Sequence, residues 1–267
     1  GYDKNPISVV RSRRWLSKLE DEAKKTDHSH LVHSPLGPNA RSYDLYLQSC
    51  SRGLGKQAKL HKERAEEAEQ ILEYRLSPDA PPEIRPTTET FNYVLRAWTR
   101  CRKDAAAAGK VMNMVLRMER IQKEFLLADG KGAGVGEEDG SWKGKIVPDT
   151  KTYSIAMDGW IIKAGLKADK WRRKQLTIAK NSVSKRRARS GNISQPPQIV
   201  KADDREDGTR EMEKAETILK YIQDLDSIGH EDVRATVIAH NTLLSGWARL
   251  ANEIRPDVPL KSEKNII

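Results

Sequence analysis

No run of about 18 apolar residues occurs anywhere in the chain, so no stretch reads as a membrane-spanning helix. Cysteine is nearly absent: Cys50 and Cys101 are too few for a disulfide framework and fit a reducing compartment. Apolar residues are scarce, at 37%, while charged residues reach 32%, and the mean hydropathy is −0.72. That balance argues against one thick core and for small helical units, each burying one face against its neighbours. The motifs of catalysis are missing too. There is no serine elbow, no paired-carboxylate motif on a defined scaffold and no Cys/His/Asp grouping, so no catalytic residue and no small-molecule substrate are expected. The glycine run Gly130–Gly136 lacks a following Lys-Ser/Thr and opens no helix, which excludes a phosphate-binding loop. His28, His30 and His33 have no cysteine or carboxylate to complete a ligand set. Neither a metal nor a cofactor is expected. The first residue is Gly1 rather than Met and no signal peptide is visible, so the start reads as processed or trimmed.

What the chain does have is a short signature, written four times. Tyr43 is followed by Tyr46, Leu47 and Cys50; Phe91 by Val94, Leu95 and Trp98; Tyr153 by Ala156, Met157 and Trp160; His240 by Leu243, Leu244 and Trp247. Spacing of i, i+3, i+4, i+7 is one apolar helical stripe, and Pro38, Pro86 and Pro148 stand where a proline can open a helix. Four copies of one helix imply an all-α repeat protein. The tryptophans lie on the buried side of that stripe and are expected to be core, as is Cys50 in the equivalent place.

The units follow from this register. Residues 1–37 hold a partial repeat, in which Val10, Trp15, Leu16 and Leu19 suggest an amphipathic helix, and then a polar loop. Repeat 1 spans 38–87, with a Gly53/Gly55 break between its helices; repeat 2 spans 88–149 and contains the glycine-rich loop; repeat 3 spans 150–235; a lone first helix and tail occupy 236–267. Second helices of the first and third repeats share Ala-Glu-x-Ile-Leu, at Ala68–Leu72 and Ala215–Leu219. Acids on these helices, such as Glu63/Glu67 and Glu69/Glu73, read as solvated. Half-units at both ends imply a piece of a longer chain or faces covered by partners.

Net charge is +10, and it is concentrated. From Lys163 to Gly191 there are eleven Lys or Arg against one acid, Asp169. Repeat 3 therefore carries a basic insertion, 163–208, between its first helix, expected over 150–165, and its partner. Its phosphate-binding candidates are Lys170, Arg172, Arg173, Lys174, Lys185, Arg186, Arg187 and Arg189, and Trp171 among them is a base-stacking candidate. A solvated loop and a chance match to a nuclear-import signal are the plainer readings.

The ring followed by Asn, Ser or Asp, the apolar pair, the entry Pro148-Asp149 before Thr150-Lys-Thr-Tyr153, and His240-Asn-Thr-Leu-Leu-Ser-Gly-Trp247 together resemble the pentatricopeptide repeat family. The resemblance covers roughly residues 38–250 without the loops. It implies a right-handed α-solenoid that binds single-stranded RNA along its concave face, in a mitochondrion or, second, a plastid. It also implies that the residue after the ring and the last residue of the repeat read one base together. The matching pairs are Asp44 with Thr87, Asn92 with Asp149 and Ser154 with Thr236, with Asn241 left without a mate. Asn92/Asp149 resembles a uracil-preferring pair. An amide and a carboxylate can together match a base edge, whereas the same residues at a helix entry can instead satisfy free backbone N–H groups. In that family, bases are sandwiched by side chains two residues before the ring, here Arg41, Glu89, Lys151 and Ile238. Ile238 fits that pattern, and Arg41 offers a guanidinium plane for stacking.

The expectation is thus a helical-repeat protein contacting single-stranded or ribosomal RNA in RNA metabolism or translation, with protein partners in a ribonucleoprotein such as a mitochondrial ribosome. The alternative is a protein–protein scaffold.

Overall fold

The computed structural model describes residues 6–26, 37–52, 58–129, 146–188 and 207–254. These form eight α-helices: α1 Pro6–Thr26, α2 Ala40–Ser51, α3 Ala58–Leu76, α4 Thr88–Thr99, α5 Ala107–Asp129, α6 Thr150–Ala188, α7 Thr209–Ser227 and α8 Val237–Ile254. One turn of 3-10 helix, Pro82–Ile84, precedes α4, and no strand occurs among the described residues. No helix there is long and apolar enough to cross a membrane. The Gly53/Gly55 break, the three-histidine cluster, the glycine run and Arg189 lie outside the described residues.

The four signature helices begin alike because the same chemistry opens each. Asn39, Thr87, Asp149 and Thr236 each stand four residues before the ring. Their side chains accept from the backbone N–H of Ser42 (3.0 Å), Thr90 (3.4 Å), Thr152 (2.7 Å) and Ala239 (3.2 Å). Each such cap contributes about 1 kcal/mol. The hydroxyl that follows the cap makes a second recurring bond. Thr88 accepts from Val147 N (2.9 Å) and Thr150 from Arg234 N (2.7 Å), each joining a helix start to the residue six before the next ring.

Below these entries lies the core. The rings Tyr43, Phe91 and Tyr153 and their i+3, i+4 and i+7 companions are buried in α2, α4 and α6. Full burial of one such side chain contributes about 1.5–3 kcal/mol. Signature helices pack in succession, α2 on α4, α4 on α6 and α6 on α8, while α3, α5 and α7 each touch the signature helix before and the one after. Trp98 and Trp160 sit in matching surroundings, each under a lysine of the partner helix that follows: Lys110 Nζ is 3.9 Å from one ring centre and Lys214 Nζ 4.2 Å from the other. Trp247 is only partly buried, and Leu244 is 65% exposed where its counterparts Leu47, Leu95 and Met157 are fully buried.

Three expectations need correction. The first helix of repeat 3 does not stop at 165: α6 is a single helix of 39 residues running through the basic segment to Ala188. Its continuation is rich in Lys and Arg, with Ala, Leu and Gln among them, all of which favour helix, and no proline interrupts it. Among the described side chains of α1 the buried apolar ones are Val9 and Leu16, seven apart, whereas Val10 and Trp15 face solvent. The acids of α3 are not simply solvated. Glu67 pairs with Arg13 (2.7 Å) and Arg64 (2.6 Å), Glu69 with Lys110 (3.2 Å), and Glu73 with the guanidinium of Arg117 (Nη2–Oε2 2.9 Å). These pairs tie α3 to α1 and α5, each for under about 1 kcal/mol.

Candidate nucleic-acid interface

The face of a signature helix opposite its apolar stripe carries the residues two before the ring and one or two, five and eight or nine after it. From α2, α4, α6 and α8, residues at many of these positions line one common groove of about 1130 Å³. Its walls hold Gln48, Arg96, Asp158 and Ser245 from the fifth position after each ring, and Arg52, Arg100, Ile162 and Arg249 from the ninth. Tyr93, Ser154, Asn241 and Thr242 supply a ring and hydrogen-bonding groups between them.

The groove is cationic. Arg52, Arg96, Arg100, Arg102, Lys151 and Arg249 face two carboxylates, Glu89 and Asp158. One acid is already answered, since Lys151 Nζ lies 2.6 Å from Glu89 Oε2 and bridges α6 to α4. At the other, desolvation by the groove walls pushes the Asp158 carboxyl above the usual aspartate value against the pull of Arg100 and Arg96, although the side chain itself still reaches solvent. Burial and a bond to Glu89 likewise raise the Tyr93 phenol. Arg96, Arg100, Arg102 and Arg249 are exposed. Such a surface attracts a polyanion and offers a ring, an amide and hydroxyls to unpaired bases.

The candidates from sequence divide sharply. Ser154, Asn241 and Ile238, the last 77% exposed, line the groove. Ser154 Oγ also donates to Thr150 O (2.7 Å), and Thr236 is the cap of α8. Asn92 and Asp149 do come together, but as a buried stitch. The Asn92 amide donates to Asp149 Oδ1 (3.3 Å), and its Oδ1 accepts from Thr152 Oγ1 (2.9 Å), itself bonded to the Asp149 cap. Asn92 is fully buried and its amide is engaged with Asp149 and Thr152, an arrangement that differs from the expected uracil selector open to a base. Asp44 is spent in the equivalent way: its Oδ1 accepts from Thr90 Oγ1 (2.9 Å), which faces the cap Thr87 (3.3 Å). The same oxygen pairs with Arg75 Nη1 (2.7 Å). Arg41 is exposed on α2 but is not part of the groove wall.

Beyond the groove, Lys170, Arg172, Arg173 and Lys174 are exposed along α6. Arg172 reaches Glu253 of α8 (2.9 Å) and Arg173 reaches Asp169 (2.6 Å). Trp171 is half-buried with its indole N–H shut away from solvent and unpartnered, so it is a poor stacking platform. Lys185, Arg186 and Arg187 belong to the last turns of the same helix.

Two features were not anticipated. Arginine recurs nine residues after the ring in three of four copies, at Arg52, Arg100 and Arg249, and that period is visible in the sequence. Arg75, by contrast, is fully buried among Asp44, the carbonyls of Ile84 and Arg85, and the Tyr43 ring, and nothing in its neighbourhood in the chain announces it. Among the described residues no group of three or more His, Cys, Asp or Glu could hold a metal ion. No family model matches the chain, and no curated protein or solved structure matches it.

Proposed function

We propose that the protein is a helical-repeat RNA-binding protein of the pentatricopeptide kind, a solenoid whose signature helices hold single-stranded RNA in their shared groove. It acts without catalysis in the RNA metabolism or translation of an organelle, the mitochondrion before the plastid, as part of a ribonucleoprotein. The observation that carries this reading is the cationic groove built from equivalent positions of α2, α4, α6 and α8. Repetition supports it: Arg52, Arg100 and Arg249 recur in register with the rings, as contacts to a regularly spaced phosphate backbone would require. The stitched pairs Asp44/Thr90 and Asn92/Asp149 argue that binding is dominated by backbone charge and shape rather than base identity at repeats 1 and 2.

The test is the salt dependence of affinity for a single-stranded RNA of about 12 nucleotides, followed by fluorescence anisotropy. Each cation lost from a phosphate contact lowers the log–log slope by about 0.7, so Arg52→Ala/Arg100→Ala/Arg249→Ala should flatten it by about 2. No binding at low salt, or an unchanged slope in this variant, would overturn the reading; retention of a protein partner without RNA would favour a scaffold instead.

A further inference from the structure

Helix α6 belongs to two regions at once. Its first turns supply Lys151, Ser154 and Asp158 to the groove, and its apolar side stays packed as far as Ala168. From Lys170 to Ala188 the same helix carries eight Lys or Arg and no acid. At about 1.5 Å per residue that arm is about 28 Å long. Its base is braced by the contact of Arg172 with Glu253, so the arm is held by the body that forms the groove.

The two regions differ in what they offer a nucleic acid. The groove has Tyr93, Asn241 and Ser154, which can meet unpaired bases. In the described part of the arm, the only ring is Trp171, half-buried with its N–H enclosed. The arm therefore offers contacts to phosphate, and cations spaced along one helix fit the regular, already ordered phosphates of a duplex better than a flexible strand that must be ordered first. Resting on the RNA reading above, we infer that the arm, α6 from Lys170 onward, docks on the backbone of double-stranded RNA. The natural ligand is then a single strand adjoining a duplex, with the strand in the groove and the stem on the arm. From Asp158 to Lys174 the offset along the helix is about 24 Å, which the tail must span.

The experiment uses the whole chain and three probes: a 12-nucleotide single strand, a blunt RNA hairpin, and the same hairpin carrying that strand as a tail. Joining two weak sites raises the effective concentration of the second, so the tailed hairpin should bind at least about tenfold more tightly than the strand. Lys185→Ala/Arg186→Ala/Arg187→Ala should abolish that gain while leaving the strand within about twofold, with circular dichroism checking that helix content is kept. A tailed hairpin no tighter than the strand overturns the inference and leaves the RNA-binding function standing. Equal loss for strand and tailed hairpin in the arm variant also overturns it. A strand that does not bind at all refutes the function itself. Binding of poly-glutamate as tight as that of the hairpin at matched salt would mark the arm as a site for an acidic protein and refute the duplex.

Discussion

Removing the carboxylate of Asp44 separates a base-reading role from a structural one. Arg75 is fully buried, and Asp44 is the carboxylate that answers it, 2.7 Å from Nη1. Two carbonyls, of Ile84 and Arg85, accept from Nε and Nη2. Breaking a buried pair by removing one partner costs about 3–5 kcal/mol when the survivor is left uncompensated. Here the carbonyls remain and the Asp44 side chain is 20% exposed, so water can reach the gap. The loss of one charge-assisted bond then sets the scale, and Asp44→Ala should cost about 2–3 kcal/mol. For a chain of this size that lowers Tm by about 4–12 °C. Asp44→Asn keeps an acceptor for both Arg75 and Thr90 and should cost about 1 kcal/mol. The assays are thermal melts beside affinities for a panel of homopolymeric RNAs. A Tm unchanged within 1 °C, joined to an altered base preference, would refute the stitch and restore Asp44 as a reader.

Three further outcomes follow from the geometry. Asp158 has a raised pKa, so its ionised form is disfavoured in the folded protein and its charge is lost sooner as pH falls. RNA affinity should therefore rise as pH drops through that raised value, and Asp158→Asn should flatten the dependence and tighten binding about two- to fivefold at neutral pH. Gly208 opens α7 with φ +97°, and a Cβ there would collide with the carbonyl oxygen of Ala164 in α6 and lie 3.1 Å from its Cα. Gly208→Ala should cost about 3 kcal/mol, measured by denaturant unfolding. Leu95→Ala, at a fully buried site, should cost about 2–5 kcal/mol, whereas Leu244→Ala at the equivalent but exposed position should cost under about 0.5 kcal/mol; equal losses would show that α8 is covered.

The helical stripes were legible because burial imposes a period on apolar residues, and Phe91, Val94, Leu95 and Trp98 obey it without exception. The groove's arginine at the ninth position repeats in the sequence at Arg52, Arg100 and Arg249, but it was not anticipated, because the apolar stripe gives no reason to count to that position until the groove shows what it faces. What sequence could not separate was the role of Asp44 and Asn92. A short polar side chain beside a helix entry suits a base edge and a cap alike, and only the arrival of Arg75 or Thr152 decides between them. The continuity of α6 was hidden by its charge: repulsion among neighbouring cations suggests an open segment, yet their long side chains are good helix formers once a packed first half has paid for nucleation. The phase of α1 was lost because Val9 and Leu16 share their stretch with Val10 and Trp15, which are as apolar but face outward.

Whether an RNA strand lies in the proposed groove can be read directly by photocrosslinking. A 12-nucleotide RNA bearing 4-thiouridine at successive positions is bound, irradiated and mapped by mass spectrometry. Adducts should fall on groove residues such as Tyr93, Lys151 and Arg249, contributed by α4, α6 and α8. Adducts confined to the outward faces of α3 and α7, where Tyr74 and Tyr221 are exposed, would contradict the account.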